Sequence, residues 1–346
     1  MRARLLGSVF ALLLAPSMAI AADGSGPYRV IKVEKVGGAG GFDYVSADSG
    51  NRHLYIARMG DSPRIAVFNL DTLKPAGEMA GYSAHGAAID AKSNHAFATS
   101  QPVVMWDAKT LAVIKTIPVS GNPDGIVADG FNHRIYILSH SAPNMTAINA
   151  ADGSIAGTID LGAAPEQTVT DGKGHLYVDL EDKDQVAVVD AKSMTVTARY
   201  SLGGKGGTPA GLAFDAKNRI LFVACRTPAT MVMMNADTGN ILGTIPIGAS
   251  TDGAVFNPRT MEAFSSQSDG TLSIIKETSP TTFVLEQTLA TQPSAKTLTL
   301  DSKTGHVFLI AAQFEPPPPG APALSNGRVA RGPMVADSFA VLEVGR

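Results

Sequence analysis

Apolar runs of a few residues alternate with polar turns along the chain, and residues 208–248 show the unit clearly. Gly211-Leu212-Ala213-Phe214 ends at Asp215, Lys217-Asn218-Arg219 turns the chain, and Ile220 to Ala224 forms a second run. Met231 to Met234 is a third, closed by Asn235-Ala236-Asp237-Thr238-Gly239, and Ile241 to Ile247 is a fourth. All four are too short for helices of globular size, and turn residues separate them, so they read as strands. The unit recurs. Aligned on the Asp or Asn that ends the first run, its anchors are Asp48, Asp90, Asp129, Asp171, Asp215, Asn257 and Asp301, spaced 39 to 44 residues apart. Four short strands at a period near 40 predict an all-β fold, a seven-bladed β-propeller with four-stranded blades.

The other blades fall at 41–81, 83–120, 122–162, 164–203, 250–291 and 293–346. The last is irregular, with strands expected at Thr297–Leu300, Val307–Ile310 and Phe339–Val344. Its missing outer strand can come from Arg29 to Val36, which matches the fourth strands elsewhere. Pairing the first and last segments in one blade closes the ring and leaves no open sheet edge at the seam.

With 45% hydrophobic and 17% charged residues in 346, the chain can bury a large core and is not a solvated polymer. Residues 1–21 have the form of a secretory signal: Arg2 and Arg4, then an apolar stretch from Leu5 to Ala15 too short to span a bilayer, then Ala19-Ile20-Ala21 as the cleavage site. We therefore expect one propeller domain over 22–346, periplasmic or secreted, monomeric and without a transmembrane segment. Removing Arg2 and Arg4 from 28 basic residues, against 31 acids, leaves a net charge of −5. That balance gives no counterion-release drive toward nucleic acid. Cys225 is the single cysteine, so no intramolecular disulfide forms.

Asn51-Arg52-His53-Leu54-Tyr55-Ile56-Ala57, Asn132-His133-Arg134-Ile135-Tyr136-Ile137-Leu138 and Gly174-His175-Leu176-Tyr177-Val178-Asp179 resemble the second strand of the YVTN-type β-propeller repeat family. Thr116-Ile117-Pro118-Val119 and Thr244-Ile245-Pro246-Ile247-Gly248 resemble its fourth strand. The resemblance covers essentially the whole mature chain and implies an exported bacterial propeller. It implies no single activity, because the family has none. The WD40 class fits poorly: Trp106-Asp107 occurs once and no Gly-His stands with it in its repeat.

The repeat also sorts the seven histidines. His53, His95, His133, His175 and His306 follow their anchors by four or five residues, in the turn before the second strand, and belong to the repeat. His85 and His140 break the register. His85 lies five residues before its anchor, and the equivalent residues are Asp43, Asp124, Glu166, Ala210, Asp252 and Lys296. In a propeller these surround one mouth of the central channel, and Gly86, Gly125 and Gly253 beside three of them permit close approach at the axis. Four acids and a histidine would raise the negative potential there and push pKa values up by mutual repulsion. Asp43, His85, Asp124, Glu166 and Asp252 are thus candidate ligands for a divalent cation, Ca²⁺, Mn²⁺, Fe or Zn²⁺. A solvated acidic funnel holding ordered water is the alternative.

Loops between second and third strands open on the same face and offer Arg58, His140, Asp179 and Arg226 as ligand-binding rim. Cys225 beside Arg226 could favour a thiolate, although a buried small hydrophobe is the simpler role. Met231, Met233 and Met234 sit in a strand and fill core. No Gly-x-Ser-x-Gly elbow, phosphate loop or Cys-x-x-Cys-His site occurs. One segment departs from the repeat: residues 313–337 insert Pro316-Pro317-Pro318-Pro319-Gly320, with Arg328 and Arg331 following. Four prolines favour a stiff extended arm, able to lie across the acidic mouth and bring Arg328 and Arg331 to it as ligand-binding residues, or to serve as a partner-binding or flexible arm.

Three readings of function follow. The first is a non-catalytic exported propeller binding a small ligand or periplasmic protein on the channel-mouth face, with a divalent cation as an option. The second is a metal-assisted hydrolase or lactonase at the same face, with an ion activating water and His85 or His140 moving protons. The third is an interaction scaffold whose Pro-rich arm carries recognition.

Overall fold

A computed structural model describes residues 25–142, 144–320 and 331–346; the expected signal segment and Arg328 lie outside the described residues. Seven four-stranded antiparallel sheets form the blades of a β-propeller, and no helix occurs among the described residues. Blade 5 comprises Pro209–Asp215, Ile220–Arg226, Ala229–Asn235 and Ile241–Pro246, within a residue or two of the expected runs. First strands of successive blades pack against one another in ring order, and that of blade 1 (Phe42–Asp48) meets that of blade 7 (Leu298–Leu300). The ring is closed.

Burial follows each strand's place in the blade. Ile220–Arg226 is buried at every residue because neighbouring blades cover both its faces. The outer strand Thr195–Ser201 alternates exposed and partly buried positions. Continuous apolar runs in second strands and alternation in fourth strands are the sequence trace of that difference. The core is accordingly a set of apolar layers between blades. Tyr55, Ile65 and Val67 of blade 1 pack on Ala96 and Trp106 of blade 2, for example.

The anchors recur because each caps a turn. Asp48 Oδ1 accepts hydrogen bonds from the Gly50 and Asn51 amides, Asp215 from Lys217 and Asn218, and Asp301 from Lys303. Such side-chain-to-backbone bonds stabilise a tight turn locally. All seven anchors are buried at the end of the channel opposite the mouth residues. The five turn histidines are held there too: His53 to the Ala108 carbonyl at 3.0 Å, His95 to Ala150 at 2.8 Å, and His133, His175 and His306 to Asp90, Asp171 and Glu343.

Blade 7 is completed as expected: Arg29–Lys35 pairs antiparallel with Ala340–Gly345. Phe42, Leu54 and Ile56 of blade 1 bury against Phe308, Ile310, Phe339 and Val341 of blade 7. Arg58 secures this seam. Its guanidinium donates to the carbonyls of Gly37, Gly38, Ala39 and Gly40 at 3.0–3.3 Å and lies 3.8 Å from the Phe339 ring centroid. Arg58 is therefore a peg inside the fold, 1% exposed, and not the rim side chain expected from its loop-adjacent position.

Candidate functional site: the channel mouth

The inner strands bring Asp43, His85, Asp124, Glu166, Ala210, Asp252 and Lys296 to one end of the channel, as the repeat alignment placed them. The glycines beside them meet a crowded axis: a Cβ on Gly125 would stand 2.8 Å from the Glu166 carbonyl oxygen, and one on Gly253 2.9 Å from Leu298 Cδ2.

Blade 5 offers only a methyl group at Ala210, and Arg226 from its second strand occupies the space. Its side chain is fully buried and donates to Glu181 Oε1 at 2.7 Å and to the Thr251 carbonyl at 3.0 Å. It also pairs with Asp252 and lies 3.4 Å from Glu166 Oε1. Arg226 therefore belongs to the floor and not to the rim. Lys296 pairs with Asp252 as well and reaches Asp43 Oδ1 at 2.9 Å. Asp252, Asp43 and Lys296 thus form a chain closed by Arg226. Burial would depress Lys296 and Arg226, but the surrounding carboxylates hold both pKa values above their ordinary range. Against the same burial, Lys296 and His85 hold Asp43 below the usual carboxylate range. Mutual repulsion is thus answered by ion pairing on this half of the ring.

The other half is open. His85 Nδ1 lies 2.8 Å from Asp43 Oδ2 and 3.3 Å from Asp124 Oδ1. His140, in the loop after the second strand of blade 3, brings Nε2 to 3.3 Å from Asp124 Oδ2. The two imidazoles are 35% and 36% exposed, where Arg226 is not exposed at all. Burial, and then the Asp43 carboxylate, raise the Asp124 pKa. The hydrogen bond to Asp43 raises His85. Burial, and then Asp252, push Glu166 well above its ordinary value. Asp43–His85–Asp124 and Asp124–His140–Glu166 each have ligand atoms mutually within 4.8 Å, close enough that either group could hold a metal ion.

Tyr44 and Gln167, one residue further along their strands, reach across to other blades below this floor. The Tyr44 hydroxyl crosses from blade 1 to within 3.4 Å of Glu166 Oε2. Gln167 accepts from the Leu212 and Ala254 amides and donates to the Ala254 carbonyl, all at 2.9 Å. Comparing blades at a single ring position overlooked both. An aromatic and an amide beside the acids, at axial positions, were the available signal.

The remaining candidates lie elsewhere. Asp179 is fully buried in the second strand of blade 4, and neither oxygen has a hydrogen-bond partner among the described residues. Burial pushes its pKa well up, and it sits inside the fold and away from the rim. Cys225 is buried, and burial raises its thiol. The base of the Pro-rich insertion is a small hairpin in which Phe314 bridges Met334. Arg331 stacks 4.9 Å from the Phe314 ring centroid and reaches Ser268 Oγ of blade 6 at 3.0 Å. A hollow of about 580 Å³ lies beneath, bordered by Phe314, Pro316, Pro317 and Ser268.

A second hollow, about 390 Å³, opens beside His85. Tyr82, Ser83, Ser100, Gln101 and Asn122 line it. The first two strands of blade 2, Ala87–Asp90 and His95–Ala98, have four residues each against six or seven in blades 3 to 5. The shortened blade leaves a notch in the rim at the open half of the mouth.

The fold and site define a seven-bladed propeller with a charged channel mouth. No family model matches the chain. It is similar to the uncharacterized protein YncE of Salmonella typhi and of Salmonella typhimurium, 23% identical to each over 193 residues, 53% of this chain and 54% of the relative. The chain thus matches about half the length of these curated relatives. This similarity and the seven blades agree with the resemblance to YVTN-type repeats. In architecture it is similar to a chain in a crystal structure of a mitotic checkpoint complex, with a TM-score of 0.68 over 88% of this chain and 96% of that one. At 14% identity that likeness shows the fold alone. No helix among the described residues is long and apolar enough to cross a membrane.

Proposed function

We propose that the protein is an exported, non-catalytic binding propeller that engages a ligand or protein partner through the open half of the channel mouth. The observation that carries this reading is the asymmetry of the ring. Arg226 and Lys296 tie Asp252, Glu181 and one oxygen of Asp43 into ion pairs, while Asp124 is flanked by two partly exposed imidazoles, His85 and His140, the first of which borders the blade 2 notch. Convergent polar groups with perturbed pKa values, next to a hollow within the roughly 300–1,000 Å³ of small-molecule sites, are what a ligand site requires. Five carboxylates around two permanent cations favour a ligand or partner group of positive charge, a divalent cation among them.

A thermal-shift screen of cationic, neutral and anionic metabolites, run in parallel on the wild-type protein and an Asp124→Asn/His140→Ala variant, tests the reading. Cationic compounds should stabilise the wild type by a few degrees and leave the variant unmoved. Equal shifts in both proteins would place binding elsewhere.

A further inference from the structure

We propose that Asp124 organises a divalent transition-metal site between His85 and His140, with Asp43 as the second carboxylate. The proposal rests on the mouth-face reading above and names what that face holds. Each Asp124 oxygen meets an imidazole from a different segment, His85 Nδ1 at 3.3 Å from Oδ1 and His140 Nε2 at 3.3 Å from Oδ2. Donors about 2.1 Å from a tetrahedral Zn²⁺ stand about 3.4 Å apart, so each Asp124–imidazole pair already has the spacing of two ligands in one shell, the two imidazoles belonging to separate triads that share Asp124. An ion held by both imidazoles would draw their side chains together about Asp124.

The buried Asp124 Oδ1 independently points to a ligand. It is shut off from solvent and accepts no hydrogen bond among the described residues, since His85 Nδ1, 3.3 Å away, bonds Asp43 instead. Such an atom costs free energy unless a donor or cation meets it. Its histidine neighbour is turned toward Asp43, whose other oxygen is held by Lys296 at 2.9 Å. His85 thus turns one nitrogen, Nδ1, toward both carboxylates, and an ion seated there would replace its hydrogen bond to Asp43. Asp252 is not part of the ligand set, because Arg226 and Lys296 occupy it. His140 takes its place, and Glu166 stands behind it as a further carboxylate.

Two imidazoles with carboxylate oxygens suit Mn²⁺ to Zn²⁺, whereas Ca²⁺ and Mg²⁺ prefer all-oxygen shells. The blade 2 notch borders His85, so a metal-bound ligand would enter from that side through Tyr82, Ser100, Gln101 and Asn122.

The test is isothermal titration of chelator-treated, untagged protein with ZnCl₂, CaCl₂ and MgCl₂. One Zn²⁺ per chain should bind at micromolar affinity or tighter, with no comparable binding of Ca²⁺ or Mg²⁺. His140→Ala, in an exposed loop where folding is not at stake, should weaken Zn²⁺ at least tenfold, as should Asp124→Asn. His175→Gln, at the opposite end of the channel, should leave the titration unchanged. No Zn²⁺ binding, or binding unweakened in His140→Ala, overturns the proposal. If that happens while cationic metabolites still distinguish wild type from the mouth variant, the metal is refuted and the binding-face reading stands.

Discussion

Arg226 reaches the channel floor because Ala210 leaves blade 5 without a side chain there, and once inside it is fully desolvated among Glu166, Glu181 and Asp252. Removing one partner of a buried ion network strands the others without compensation. Arg226→Met should therefore cost about 3–5 kcal/mol of stability, read as a lower urea midpoint. Arg226→Lys should recover only part of it, since an ammonium cannot reproduce the forked contacts to Glu181, Asp252 and the Thr251 carbonyl. A stability equal to wild type in Arg226→Met would show that the pairs are not what holds the floor. The ring acids were legible as a repeat position, but Arg226 was not. Its place depends on a side chain bending across two blades, which strand periodicity does not encode. Ala210 alone among charged equivalents was the available clue. Asp179 and Arg58 misled for a related reason: a charged residue at a strand end reads as surface, and both are buried.

Ring closure depends on blades 1 and 7 meeting as firmly as any consecutive pair. Their apolar layer is joined on the anchor side by Arg52, which bonds Asp301 through two nitrogens at 2.8 and 2.9 Å and Asp71 at 2.6 Å. Burial opposes ionisation of Asp301, but Arg52 and the adjoining turn hold its carboxyl well below the ordinary range. A depressed carboxyl contributes stability above its unfolded value, about 3.9, and loses that contribution as pH falls through that value toward the folded one. Arg52→Met should destabilise by about 2–3 kcal/mol near neutrality, less than a fully broken buried pair, because the Lys303 amide and Thr304 hydroxyl still bond Asp301. The gap in melting temperature between variant and wild type should narrow below about pH 4. A gap independent of pH would remove the ion pair from the account. At this scale the sequence was a good guide: strand lengths, the Asx-capped turns and the N-terminal strand in blade 7 all follow from local pattern. The inter-blade bonds from turn residues do not, since they join positions about 250 residues apart, as Arg52 and Asp301 show.

The whole molecule has two unlike ends. At the anchor end the turn histidines and acids are bound into the fold, around a hollow of about 530 Å³ lined largely by small residues such as Ser46, Ala47, Ala88 and Ala128. At the mouth end, half the charges are locked and half face outward beside a shortened blade. This division gives the site its direction, and Tyr44 and Gln167 separate the two ends along the channel. The account's central claim is that the open acid–histidine half of the mouth holds a divalent metal ion. Anomalous diffraction from a crystal of the chelator-treated protein soaked in ZnCl₂ measures this most directly. The account predicts a peak between His85, Asp124 and His140. No peak there, or peaks confined to His53, His95, His133, His175 or His306, would contradict it.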